Sequence, residues 1–170
     1  MNIIIQRDRP RGEYVHGQLT IDGNRVCQTL ENALSCVPAG EYVISLLKCK
    51  QYARKMPLLV PREVQRSKFK VQSQETLNLE PDASPLNLEP RCAECKRLSF
   101  VCTNSTLPCY CPQIKPGNGV HDRLDGSILV GQYNCLGCLI HPRTTFDPLY
   151  ERIRKSVSRG NKVILTIKDG

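Results

Sequence analysis

The chain alternates apolar and polar residues at both ends and loses that rhythm in the middle. Near the start, Ile3 to Ile5 is a short apolar run, and Tyr14 to Ile21 places Val15, Gly17, Leu19 and Ile21 on one face. A period of two is the signature of a half-buried strand. Asp22-Gly23-Asn24 then supplies residues that tolerate positive φ, which predicts a hairpin with Arg25 to Leu30 as the returning strand. After Pro38-Ala39-Gly40 the pattern resumes from Glu41 to Leu47, and Leu58 to Val60, between Pro57 and Pro61, is extended. Lys50 to Met56 fits either one helical turn or none.

Near the C-terminus the period changes. Leu149, Ile153 and Val157 recur at i, i+4 and i+8, which predicts a helix from about Pro148 to Arg159. Thr144 or Thr145 would cap it, Asp147 would favour its positive end, Pro148 would suit its first turn, and Gly160 would stop it. Lys162 to Lys168 is a last strand with Val163, Leu165 and Ile167 facing inward. The fold class is mainly β: an antiparallel sheet or barrel with one C-terminal helix and a cysteine-rich insertion. The 170 residues suffice for a single domain spanning 1–170, with an accessory insertion at about 65–112. Within it, Leu77-Asn78-Leu79-Glu80-Pro81 returns as Leu86-Asn87-Leu88-Glu89-Pro90. Two copies are too few for a solenoid.

Charge changes the picture next. The net charge is +8, which favours polyanions: nucleic acid, anionic lipid or an anionic cell-wall polymer. The same surplus, spread without long runs of one sign, also serves solubility. Aromatic residues are only 5%, so base stacking is poorly served, and no helix-turn-helix or C2H2 spacing is present. A nucleic-acid-binding module is thus the weaker alternative. No stretch approaches a membrane span, and the first residues lack the features of a signal peptide. The expectation is a protein made in the cytoplasm and carried out, if at all, within a virion, by lysis or by a contractile device.

Five of the ten cysteines fall between Cys92 and Cys111. Cys92, Cys95, Cys109 and Cys111 could supply four thiolates to a structural zinc, with Cys135 and Cys138 as an alternative close pair and Cys102 as a spare ligand. Disulfides formed outside the cell and reduced, buried thiols are the competing readings. Cys27, Cys36 and Cys49 lie in apolar settings and read as core, while His16 and His141 read as surface or packing residues rather than ligands.

Several short motifs come in a recognisable order. They are G-Q-L-T-I-D-G at Gly17–Gly23, C-Q-T-L-E ending at Glu31, V-P-A-G-E-Y at Val37–Tyr42 and M-P-L-L at Met56–Leu59. Later come I-K-P-G-N at Ile114–Asn118, D-G-S-I-L-V-G at Asp125–Gly131 and H-P-R-T-T-F at His141–Phe146. Over roughly residues 12–60 and 112–168 the chain resembles a family of uncharacterised proteins common in phages, prophages and Bacteroidetes mobile elements. That family in turn resembles the L,D-transpeptidase fold, whose enzymes cut and rejoin peptidoglycan stem peptides.

The resemblance implies a nucleophilic Cys, a His that raises its thiolate fraction and backbone amides as oxyanion donors. By position the His falls on Lys115 and the Cys on Ser127. Lys115, between Pro112 and Pro116-Gly117-Asn118, reads as lying near a solvent-facing loop, protonated, and able to hold a peptide carboxylate. The implied binding residues are Lys115, Asn118, Ser127 and Arg143. No catalytic set is therefore intact, and the implied role is that of a pseudoenzyme. It would bind peptidoglycan or another anionic envelope polymer, or form part of a phage particle or secretion assembly. An active peptidase would need Ser127 as nucleophile with His121 or Lys115 as base. Otherwise Gly126-Ser127 is a structural turn whose hydroxyl bonds to backbone.

Overall fold

A computed structural model describes residues 1–48, 54–62, 112–119, 126–135 and 137–170. The block at about 65–112, with Cys92, Cys95, Cys102, Cys109 and Cys111, lies outside these except at Pro112, as do Cys49 and His121.

The predicted strands form. They are β1 (Asn2–Arg7), β2 (Tyr14–Ile21), β3 (Asn24–Asn32), β4 (Gly40–Lys48) and β5 (Lys55–Pro61); β6 (Ile114–Pro116), β7 (Ile128–Cys135) and β8 (Cys138–Ile140) go beyond the pattern, and β9 (Ile164–Lys168), which it predicts, follows the helix. The β2–β3 hairpin turns through Asp22 at φ 49° and Gly23 at φ 86°, the paired positive angles that match the twist of its strands. Lys55 and Met56 belong to β5 and pair with Lys48 and Leu47, so extended backbone wins over a helical turn there.

Hydrogen bonding orders the sheet β5-β4-β9-β1-β2-β3-β7-β6, with β8 added to β7. The β1–β9 and β6–β7 pairs are parallel, and the other named pairs are antiparallel. The two ends of this order nearly meet. Leu58 bridges to Gln113, and the Leu59 amide donates to the Pro112 carbonyl at 2.9 Å. The product is a nearly closed barrel, a form that leaves little exposed strand edge. Its interior holds Ile3, Ile5, Leu19, Ile21, Ile44, Ile128, Val130, Leu165 and Ile167, the residues that the alternating pattern puts on one face.

The helix α1 (Pro142–Ser158) lays Phe146, Leu149, Tyr150 and Ile153 on that interior, with Val157 packed at its border. Its start differs from the sequence expectation. The cap is His141, in left-handed conformation at φ 52°, and the Thr145 amide already donates to the His141 carbonyl at 3.0 Å. Pro142 explains the earlier start, because a proline at the first helical position loses no intrahelical bond and brings a helical φ. Pro148 consequently sits inside the helix. Asp147 does not serve the helix terminus either; it pairs with Arg54 at 2.9 Å, whose guanidinium lies 5.1 Å from the Phe146 ring centre and 4.7 Å from that of Tyr150. The stop is as expected: Gly160, at φ 76°, donates to the Val157 carbonyl at 3.0 Å. Among the described residues no helix is long and apolar enough to cross a membrane.

Candidate functional site

Two of the positions that the family resemblance marks, Lys115 and Ser127, fall on neighbouring segments of the sheet. The β6–β7 register pairs Ile114 with Ile128, Lys115 with Leu129 and Pro116 with Val130. Register partners share a face, and residues two apart on one strand do too. Gln113, Lys115, Ser127 and Leu129 therefore occupy one face, opposite to the one by which Ile114, Ile128 and Val130 enter the barrel core. The amide of Ile128 donates to the Gln113 carbonyl at 2.8 Å, which fixes Ser127 beside Gln113. Leu129 belongs to a second, small apolar cluster with Leu30 and Leu139, against which Tyr14 packs.

This neighbourhood is filled rather than open. Gln113 is 4% exposed, Lys115 1% and Ser127 4%. Lys115 thus lies on a buried strand, not beside a solvent-facing loop, because its β6 position shares a row with Leu129 and Leu30. The accessible ammonium foreseen for holding a carboxylate is not there. A buried amino group needs a compensating partner or the loss of its proton. Gly117 lies against Leu129, and a Cβ at this position would sit 2.7 Å from Cδ2, so the leucine side chain would have to shift to admit one. Asn118 is spent on structure: its Nδ2 donates to the Leu139 carbonyl at 3.0 Å, and its own carbonyl accepts from the Leu139 amide at 2.7 Å. Gly126 takes a left-handed φ of 72° immediately before Ser127. Arg143 stands exposed in the first turn of α1.

Of the zinc candidates, only the alternative pair falls among the described residues. Cys135 and Cys138 are register partners across the β7–β8 hairpin, and Cys138 is a free, half-buried thiol. Cys27 is buried as foreseen, and burial pushes its thiol up to about 12. Cys36 is only half-buried, with its thiol donating to the Ala33 carbonyl at 3.7 Å; burial raises its pKa against the downward pull of Arg7. His16 packs edge-on to Tyr14, with ring centres 5.1 Å apart, and burial lowers its pKa. His141 is exposed at the helix cap.

Two features escaped the pattern reading. The first is a buried ion pair at one end of the barrel. Arg7 Nε and Nη2 donate to the two carboxylate oxygens of Glu31 at 3.0 and 2.6 Å, and Nη2 also donates to the Val37 carbonyl at 2.7 Å. Arg7 is 4% exposed and Glu31 1%, and Asp169 adds a bond to Arg7 Nη1 at 3.1 Å. Burial opposes the charge on Arg7, but the hydrogen bonds and charge of Glu31 outweigh it and raise the Arg7 pKa. Burial likewise pushes the Glu31 carboxyl up, against the pull of the same guanidinium. The only available sequence signal was Glu31 closing the C-Q-T-L-E motif. The second feature is a cleft of about 310 Å³ between β3, β7 and the start of α1, with Val26, Gln132, Thr144, Pro148 and Arg152 in its wall. It joins three distant segments, so no single motif announces it.

Searches of family models, curated proteins and solved structures found no match to this chain.

Proposed function

We propose that the protein is a non-catalytic relative of peptidoglycan-processing enzymes, a phage or mobile-element product that binds an anionic envelope polymer or a particle component. The observation that carries this reading is the pairing of position with burial at β6 and β7. Lys115 on β6 and Ser127, just before the parallel neighbour β7, share a face, yet they are 1% and 4% exposed. Covalent acyl transfer needs an activated nucleophile that the substrate can reach, a base in hydrogen-bond range and oxyanion donors, acting as one unit. A serine hydroxyl enclosed beside Gln113 and next to a leucine cluster does not meet the first requirement.

Binding then rests on the exposed cations. Arg143, Arg152, Lys155 and Arg159 all stand exposed on or just beyond α1, and Arg152 also borders the cleft. They suit a phosphate- or carboxylate-bearing wall polymer, within a chain of net charge +8. Purified muropeptides incubated with the protein should be recovered unchanged by mass spectrometry, from wild type and from Ser127→Ala alike. The wild type should sediment with teichoic-acid-bearing sacculi, less so at raised salt or after replacement of Arg152, Lys155 and Arg159 by Gln. Release of a stem-peptide residue by wild type but not by Ser127→Ala would instead make it a serine peptidase.

A further inference from the structure

The cleft beside α1 exists because two strands part. β3 pairs with β7 only over Gln28–Leu30, and past Gly131 the next residue of β7, Gln132, pairs with Ile140 of β8 instead. On β3, Cys27 pairs with Leu19 and Arg25 with Thr20, so Val26 is the extra residue of a bulge, an irregularity that re-aims a side chain. Val26 and Gln132 line the opening, the buried Leu149 forms its floor, and Thr144, Pro148 and Arg152 stand in the helical wall. The volume of about 310 Å³ lies at the lower end of the roughly 300–1,000 Å³ that small-molecule sites occupy. Its polar groups are unspent. Among the described residues, the side chains of Gln132, Thr144 and Arg152 form no hydrogen bond or ion pair, whereas Arg54 is paired with Asp147 and Arg154 with Glu151. None of the described residues that line the cleft is acidic. Pro148 has no N–H, so the Thr144 carbonyl lacks its usual partner four residues on and adds an acceptor at this wall.

We propose that this cleft is a subsite for a polyol phosphate, one glycerol-phosphate unit of an anionic wall polymer. A fixed guanidinium with no carboxylate beside it selects an anion, and its planar fork matches two phosphate oxygens. Hydroxyls of the polyol meet the Thr144 carbonyl and the Gln132 amide, and the short carbon chain lies against Val26, Pro148 and Leu149. A bare inorganic anion would leave that apolar surface unused, and a neutral polyol would leave Arg152 unpaired. The identity of the polymer rests on the wall-binding reading; the site itself rests on the parted strands and the unspent groups around them.

The test titrates the full chain with soluble poly(glycerol phosphate) in a calorimeter at low salt, with glycerol and inorganic phosphate as controls. The polymer should bind and glycerol should not. Val26→Trp and Gln132→Trp fill the cleft without changing charge, and each should weaken binding by about tenfold or more, as should Arg152→Gln. The Gln132 side chain is exposed, so its replacement keeps this arm independent of any folding defect in the bulge variant. Lys168→Gln, an equal loss of charge at an exposed position of β9, should change affinity by less than about twofold. Unchanged binding in both tryptophan variants would overturn the proposal. So would equal effects of Arg152→Gln and Lys168→Gln, or equal affinity for inorganic phosphate and polymer. A second measurement separates the site from the wall-binding reading. If sacculi fail to pellet the protein while the polymer binds with the expected pattern, that reading falls and the cleft stands. If sacculi pellet the wild type and both tryptophan variants alike, the cleft falls and surface charge alone carries the attachment.

Discussion

Among the described residues the barrel buries ionisable groups in two places, and the two are built differently. At one end, Arg7 and Glu31 meet inside the closed wall, with two hydrogen bonds between them and further bonds to Val37 and Asp169. At the β6–β7 wall, Lys115 and Ser127 are enclosed on the outer face, in line with leucines of the smaller cluster. The first arrangement joins β1, β3, the segment entering β4 and the chain end, so it holds the fold together. The second occupies the positions where the resemblance would put chemistry. Motif residues in one chain therefore sit in two different settings: Glu31 joins distant segments through its ion pair, whereas Lys115 and Ser127 are enclosed in the wall beside an apolar cluster.

The sharpest way to break this contrast is at Arg7 and Glu31. Removing one partner of a buried pair leaves the other charged and unpaired, which costs about 3–5 kcal/mol. Arg7→Ala and Glu31→Ala should each lower unfolding stability by that amount in urea titrations monitored by circular dichroism. Exchanging both for apolar residues of similar bulk, Arg7→Met with Glu31→Leu, should recover most of the loss. If either single variant melted like wild type, the pair would have no structural role.

A smaller effect lies beside the same cluster. A Cβ on Gly17 would sit 2.6 Å from Thr29 Oγ1 and 2.9 Å from the Gln6 carbonyl oxygen. The backbone oxygen cannot swing away, so Gly17→Ala should cost about 1–3 kcal/mol through overpacking. Asn118→Ala, on the other wall, would be the informative companion. It removes one bond to Leu139 and should cost about 1 kcal/mol, leaving the barrel interior untouched.

Local pattern carried most of the fold. Alternation in Tyr14 to Ile21 and in Val163 to Ile167 named the inward residues, and all of Val15, Leu19, Ile21, Val163, Leu165 and Ile167 are buried. Those signals are short-range, which is why they survive in a bare sequence. The helix start did not, because Pro142 and Pro148 both suit a first turn and two threonines between them look like caps; the backbone at His141 decided it. The burial of Lys115 was illegible for a different reason. It depends on β6 pairing with β7 and on β7 pairing with β3, contacts that two neighbouring prolines and a glycine conceal behind a loop-like composition. The Arg7–Glu31 pair is likewise long-range, its members 24 positions apart.

The finest discriminator between the closed barrel interior and its more open surroundings is the chemistry of thiols. Cys27 is 6% exposed on β3, and burial pushes its pKa from 9.0 up to about 12. Cys138, half-buried on the hairpin, is not enclosed by the main core. Because the folded value of Cys27 lies above the unfolded one, its neutral thiol favours the fold fully below pH 9.0, and that contribution drains away as the pH rises towards about 12. Between pH 8 and pH 10 the wild type should lose about 1 kcal/mol more stability than Cys27→Ala does over the same interval. Only the difference in slope matters, since the alanine variant starts lower from its lost packing. Alkylation gives a second view of the same barrier: at pH 8.5, iodoacetamide should label Cys138 in the folded protein and reach Cys27 only after unfolding. Equal labelling of the two thiols in the folded state would mean that the wall at β3 opens readily, and the contrast between interior and rim would fail at its most sensitive point.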